Sequence, residues 1–145
     1  MGFTRYYTIN KKLNSEDFSK FSKDSQSICE WITKAYGHKI SGWNGHGDPE
    51  FTDETVSFNG FQFLDKDVDE SHETFEISLE SKGFNFTKTQ LKPYDKHVFA
   101  TLLLADFYFG DSIEISGDGE DDDYPEITKV VKSFLRDRKI NEIIS

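Results

Sequence analysis

The chain has 145 residues, with 17 Lys and Arg against 27 Asp and Glu, and a net charge of −10. That length suits one domain with a core of its own. Apolar residues are only 35% of the chain, yet aromatics are 15% and Phe occurs 14 times, which excludes a wholly disordered acidic chain.

Cys29 is the single cysteine, so an intramolecular disulfide framework and a multi-Cys zinc site are excluded. No apolar run approaches the roughly 18 residues of a membrane span. Met1 to Asn10 has no signal-peptide core. The expectation is a cytoplasmic protein with no membrane partner.

Phe3 to Ile9 is β-branched and aromatic and reads as a strand. Ser15 is placed to cap a helix that runs to about Tyr36 and stops at Gly37. Its predicted inner face holds Phe18, Phe21, Ile28, Trp31, Ile32 and Ala35, and the polar patch Ser22–Ser27 weakens its middle. Gly42 to Pro49 is a Gly-rich loop. Thr55–Phe58 and Glu73–Leu79 read as strands, the second with Phe75, Ile77 and Leu79 on one face. Residues 65–70 between them are expected to be a solvated acidic loop.

Pro93 pre-sets the entry to a second helix, and Asp95 favours its positive end. Val98, Phe99, Leu102, Leu103, Ala105 and Phe109 are apolar on more than one face, the pattern of a central core helix that ends at Gly110. Ser112–Ser116 is a short strand. Asp123 and Glu126 have capping-box spacing, with Pro125 in the first turn. A third helix follows with Ile127, Val130, Val131, Phe134 and Leu135 on one face. The pattern predicts a single α+β domain over residues 1–145, a small, mostly antiparallel sheet packed against about three helices.

The charge is unevenly placed. Residues 41–80 contain eleven acids and one base, a local charge of −10, while residues 82–96 carry four lysines and Asp95, a local +3. An acidic chain with one short basic stretch repels a nucleic acid polymer and suits a small anion. Asp65 to Glu76 has acids at calcium-loop positions, but Glu70 stands where that turn needs Gly and strands flank it. Four histidines show no metal-ligand pairing, and Cys29 sits on the inner part of a helix pattern, as a core residue does. No nucleophile elbow or phosphate loop is present. No catalytic residue, metal or cofactor is assigned.

Phe84 to Asp95 holds two lysines, two threonines, a tyrosine and an aspartate on the approach to a helix N-terminus, where free N–H groups favour an anion. The competing reading of this segment is a connection in which Asp95 caps and Tyr94 packs.

The motif set resembles that of a family of small proteins found in bacteria and in phage genomes. Its members open with Gly-Phe-x-Arg-Tyr/Trp, here Gly2-Phe-Thr-Arg-Tyr6. Pro-x-Phe-Thr-Asp is Pro49 to Asp53, Phe-Asn-Gly is Phe58-Asn-Gly60, and Glu-x-Phe is Glu73-Thr-Phe75. The strongest mark, Phe-Cys-Lys-Thr-x-x-x-Pro-Tyr-Asp, reads Phe86-Thr-Lys-Thr-Gln-Leu-Lys-Pro-Tyr-Asp95. Phe-Gly-Asp is Phe109 to Asp111, and Ser-Ser-Asp-Gly is Ser116-Gly-Asp-Gly119. Thr87 replaces the usual Cys, which argues against thiol chemistry, and Gly117 replaces the second Ser. The resemblance implies a motif set and not a mechanism.

Among these residues, Arg5, Asn59, Lys88, Thr89, Tyr94 and Asp95 are polar and hard to assign to packing. With Lys92 they form the expected ligand-binding set. They would meet if the first strand lay beside Thr55–Phe58 or Glu73–Leu79. The leading expectation is a non-enzymatic protein that binds a small anionic ligand such as a nucleotide, and in a phage setting sequesters a host signalling nucleotide. The alternative is an acidic interaction module or DNA mimic that engages a host protein. A third reading is a metal-dependent hydrolase. Homo-oligomerisation is left open.

Overall fold

The computed structural model describes residues 2–119 and 123–144. In chain order the elements are β1 (Thr4–Ile9), α1 (Ser15–Tyr36), β2 (Ile40–Ser41), β3 (Glu50–Phe51), β4 (Thr55–Gly60), β5 (Gln62–Phe63), β6 (Val68–Asp69), β7 (Phe75–Ser78), β8 (Gly83–Lys88), α2 (Asp95–Phe109), β9 (Ile113–Gly117) and α3 (Pro125–Ile144). The chain is a single α+β domain, as its pattern predicts, but its strands form more than one antiparallel sheet. One is β8-β1-β9, a second is β2-β4-β3 with β7 also paired to β4, and a third is the two-stranded β5-β6.

β1 is the central strand of the first sheet. Tyr7 and Ile9 point inward and are buried, and Tyr6 and Thr8 point outward. Its neighbours are β8 and β9, not the strands expected from sequence. β8 was hidden because it lies within the polar approach to α2. The acidic stretch 65–70 expected as a loop contains the exposed strand β6, paired with the half-buried β5 just before it.

α1 is capped by Asn14, not Ser15: Asn14 Oδ1 accepts from the Asp17 N–H at 3.0 Å. Gly37 ends the helix and donates to Thr33 O at 2.9 Å. The polar patch does not weaken it. Ser22, Asp24 and Ser25 are buried, and Asp24 accepts from Tyr108 and pairs with Arg138 of α3 at 3.0 Å. Trp31 and Ala35 are exposed, and Cys29 takes the inner position. A stripe of spacing 3.6 does not tell which of its flanks will be covered.

α2 is the core helix. It packs on α1, α3, β1 and β9, and ten of its fifteen residues are buried. Phe18, Phe21 and Phe109 meet at centroid distances of 5.1 to 6.0 Å, and Phe75 joins Phe58 at 5.2 Å to Tyr7 at 5.5 Å. Each such buried ring contributes on the order of 2 kcal/mol. At Gly60 a Cβ would lie 1.9 Å from the Glu70 carbonyl oxygen, so only glycine fits between the chains.

His97 faces α1 from α2. It is fully buried, with Nε2 3.1 Å from Thr33 Oγ1. Burial, helped by the charges of Lys96 and His38, lowers its pKa to about 3. The unfolded chain accepts a proton near pH 6.5 that the native chain refuses. This group therefore takes away stability as pH falls from about 6.5 towards 3, at up to about 1.4 kcal/mol per pH unit. Urea unfolding of the parent and of His97→Gln at several pH values checks this. The parent should show the steeper loss on acidification, and equal slopes would contradict it.

Candidate functional site

Alternation along β1 sends Arg5 to the inner face with Tyr7 and Ile9, beneath α2. A guanidinium cannot remain in such a place unpaired. Its partner is Asp95, the first residue of α2. Nε donates to Oδ1 at 3.1 Å and Nη2 to Oδ2 at 2.7 Å, a bidentate pair with both side chains almost fully buried. Nη1 donates to Asp123 Oδ2 at 2.8 Å.

Asp95 receives two further donors. Thr89 Oγ1 donates to Oδ1 and the Tyr124 hydroxyl to Oδ2, each at 2.7 Å. Four donors saturate a carboxylate. Asp95 is therefore occupied in holding Arg5 and has no acceptor site left for a ligand proton. It is not the helix cap either: Tyr94 is the N-cap residue, without a side-chain cap bond.

The link between Thr89 and Asp95 explains the local sequence. After β8 the chain reverses through Gln90 and Leu91, both in the left-handed region with φ 54° and 56°. Two such residues cost about 1–2 kcal/mol each. The turn is held by Phe3 O, which accepts from the Thr89 and Gln90 N–H groups at 3.0 and 3.1 Å. It brings the Thr89 hydroxyl to Asp95, which in turn holds Arg5.

The Arg5 guanidinium also lies over the rings of Phe3, Phe99 and Tyr124, at 4.8, 5.0 and 5.9 Å. Burial by itself would lower the Arg5 pKa. The hydrogen bonds and charges of Asp95 and Asp123 outweigh it and hold the pKa above its ordinary value, so Arg5 stays charged. Burial and the Asp95 charge push the Tyr124 hydroxyl well above the usual tyrosine range, so it stays protonated and donates.

Beside the pair lies a cleft of about 170 Å³. Its walls are Phe99, Leu102 and Leu103 of α2 and Ile115 to Gly117 of β9, with Gly119 at one end and Arg5 in the lining. A Cβ at Gly117 would lie 2.9 Å from Arg5 Nη1, so the bare backbone leaves room for the guanidinium.

Of the seven residues expected in the site, the structure brings Arg5, Thr89 and Asp95 together. Tyr94 is next to them in sequence but is fully buried and donates its hydroxyl to Glu73 O at 2.5 Å. Asn59 lies in the second sheet. Its amide donates to His72 O at 3.0 Å and Thr74 Oγ1 at 3.1 Å, and its oxygen accepts from the Gly60 and His72 N–H groups at 2.7 and 3.0 Å. All its capacity is spent on holding β4 to the segment before β7. Lys88 is on the outer face of the first sheet, its ammonium 5.9 Å from the Phe86 ring centre. Lys92 donates to Asp69 O at 3.1 Å, towards the β5–β6 hairpin.

Sequence reasoning missed Tyr124, Asp123, Phe99 and Gly117 as parts of this cluster. Asp123 looked like a helix cap, and Phe99 like core alone. Their meeting with Arg5 depends on where α3 begins in space, for which the sequence carries no local signal.

Removing one partner of a buried pair strands the other. Asp95→Asn should therefore cost about 3 kcal/mol or more, whereas a cap would tolerate Asn. Thr89→Val should cost about 1 kcal/mol. Chemical denaturation checks both, and a loss below about 1 kcal/mol for Asp95→Asn would refute the buried-pair assignment.

Comparison of the chain with protein-family models, with curated proteins and with solved structures found no match.

Proposed function

We propose that the protein is a non-enzymatic binding module that holds the anionic end of a small molecule, a phosphate or a carboxylate, at the Arg5 edge of the cleft between α2 and β9. The observation that carries this reading is the asymmetry of the Arg5 partners. Asp95 is saturated and buried, whereas Asp123 makes one bond to Nη1 and its side chain is 15% exposed. A ligand anion would replace Asp123 and leave the Arg5–Asp95 pair intact. Arg5 is the ligand contact, and Asp95, Thr89 and Tyr124 are positioning residues.

The size of the cleft limits the ligand. At about 170 Å³ it is smaller than the roughly 300–1,000 Å³ of sites that enclose a whole drug-sized molecule. A nucleotide would seat its phosphate there and leave its base outside. Sequestration of a host signalling nucleotide, the role suggested by the resemblance to phage proteins, needs holding without turnover. A carboxylate that has no free acceptor site suits that role better than it suits general-base catalysis.

Thermal-shift and calorimetric titration with inorganic phosphate, linear and cyclic nucleotides and short dicarboxylates tests the proposal. At least one of these should raise the melting temperature. Asp123→Asn should tighten its binding several-fold, by removing the competing anion. Gly117→Ala, which crowds Nη1, should weaken it and also lower the melting temperature. Lys88→Ala should leave affinity unchanged, since Lys88 is on the opposite face. No shift with any probe, or equal affinities for the parent and Asp123→Asn, would overturn the reading.

A further inference from the structure

The outer face of the β8-β1-β9 sheet is independent of the cleft, which is on the inner face. Register sorts its residues into three cross-sheet rows. The first is Lys88, Thr4 and Asp118, where Thr4 N–H donates to Asp118 Oδ2 at 3.0 Å. The second is Phe86, Tyr6 and Ser116, and the third is Phe84, Thr8 and Glu114. α2, the helix that packs on β1 and β9, lies against the inner face. Phe84 is 64% and Phe86 48% exposed, although aromatic rings of this size are normally covered. With Tyr6 they form a continuous patch, at 5.9 Å from Tyr6 to Phe84 and 6.0 Å from Phe84 to Phe86.

The charges on this face are divided by edge. The β8 edge carries Lys88, whose backbone N–H donates to the Glu73 carboxylate at 2.7 Å, and the β9 edge carries Asp118 and Glu114; Lys88, Asp118 and Glu114 are exposed. We propose that the face binds a second copy of this chain, sheet on sheet, about a two-fold axis parallel to β1. That operation leaves each row at its own height and exchanges the two edges. Lys88 then stands opposite the Asp118 of the other copy, twice over, and the aromatic patch fills the middle around Tyr6. Such a contact is isologous and closed, with an apolar centre and a charged rim, the usual anatomy of an interface. Charge decides against the other occupant that aromatic strands attract. A single-stranded nucleic acid would stack on the rings, but Asp118, Glu114 and a net charge of −10 repel its phosphates.

Sedimentation or light scattering over a concentration series, with charge-swapped variants, tests this. The parent should have the mass of a dimer. Phe86→Ser and Lys88→Asp should each weaken association by about tenfold or more, with the melting temperature of the dilute protein nearly unchanged. Asp118→Lys should also be monomeric, and an equimolar mixture of Lys88→Asp and Asp118→Lys chains should recover a dimer, because both rim pairs are then opposite in sign. Asp118 also accepts from Thr4 and Tyr6, so if Asp118→Lys fails to fold, Phe86→Ser and Lys88→Asp decide the matter alone. A parent that stays monomeric up to sub-millimolar concentration overturns the proposal, as does a dimer that persists in both of those variants.

Discussion

A guanidinium buried under the central helix dictates much of what surrounds it. Arg5 enters the interior because β1 alternates, and Tyr7 and Ile9, on the same face, are needed in the core. Taking such a charge out of water costs several kcal/mol unless partners replace the hydration. The replacement comes from Asp95 at the start of α2, itself held by Thr89 and the Tyr124 hydroxyl, from Asp123 before α3, and from the rings of Phe3, Phe99 and Tyr124. The cluster thereby ties the first strand, the second helix and the third helix to one another. The left-handed turn at Gln90 and Leu91 serves this arrangement, since it brings the Thr89 hydroxyl back to the Asp95 carboxylate.

The same arrangement shapes the chemistry. A carboxylate with four donors has every lone pair engaged by the protein's own groups. Cys29 is equally unsuited to reaction, because burial raises its thiol pKa to about 12. Asp95, Thr89 and Asn59 are thus held in structural bonds, and the polar group that lines the cleft is Arg5. The two faces of the first sheet differ in character. Its inner face holds the charge cluster and the cleft, and its outer face presents an aromatic patch with opposite charges on its edges.

Several elements were legible in the sequence because their signals are local. The apolar periodicity of α2 on more than one face marked it as the core helix, and Gly37 and Gly110 marked helix ends. The alternation at Phe75 and Ile77 marked β7. Pro125 opens α3, as its position before an apolar stripe implies. Where local signals compete, the reading failed. Asn14 and Ser15 are both good caps, and only backbone geometry decides between them. β8 has Phe84 and Phe86 on its exposed side and few buried residues, so it lacks the alternation that identifies a half-buried strand.

Composition and pattern by themselves determined the fold class, three helices in the right places, and a list of polar residues that packing does not need. Arg5, Thr89 and Asp95 stood out among the motif residues of the resemblance as polar and hard to assign to packing, with capping as the competing use for Asp95. Tertiary structure alone decided that these three meet while Asn59, Lys88 and Lys92 do not. The reason is strand pairing. β1 lies between β8 and β9, an arrangement set by contacts more than 70 residues apart in sequence, and no local propensity encodes it. That one choice of neighbours put Arg5 beside Asp95 and turned Lys88 to the other face.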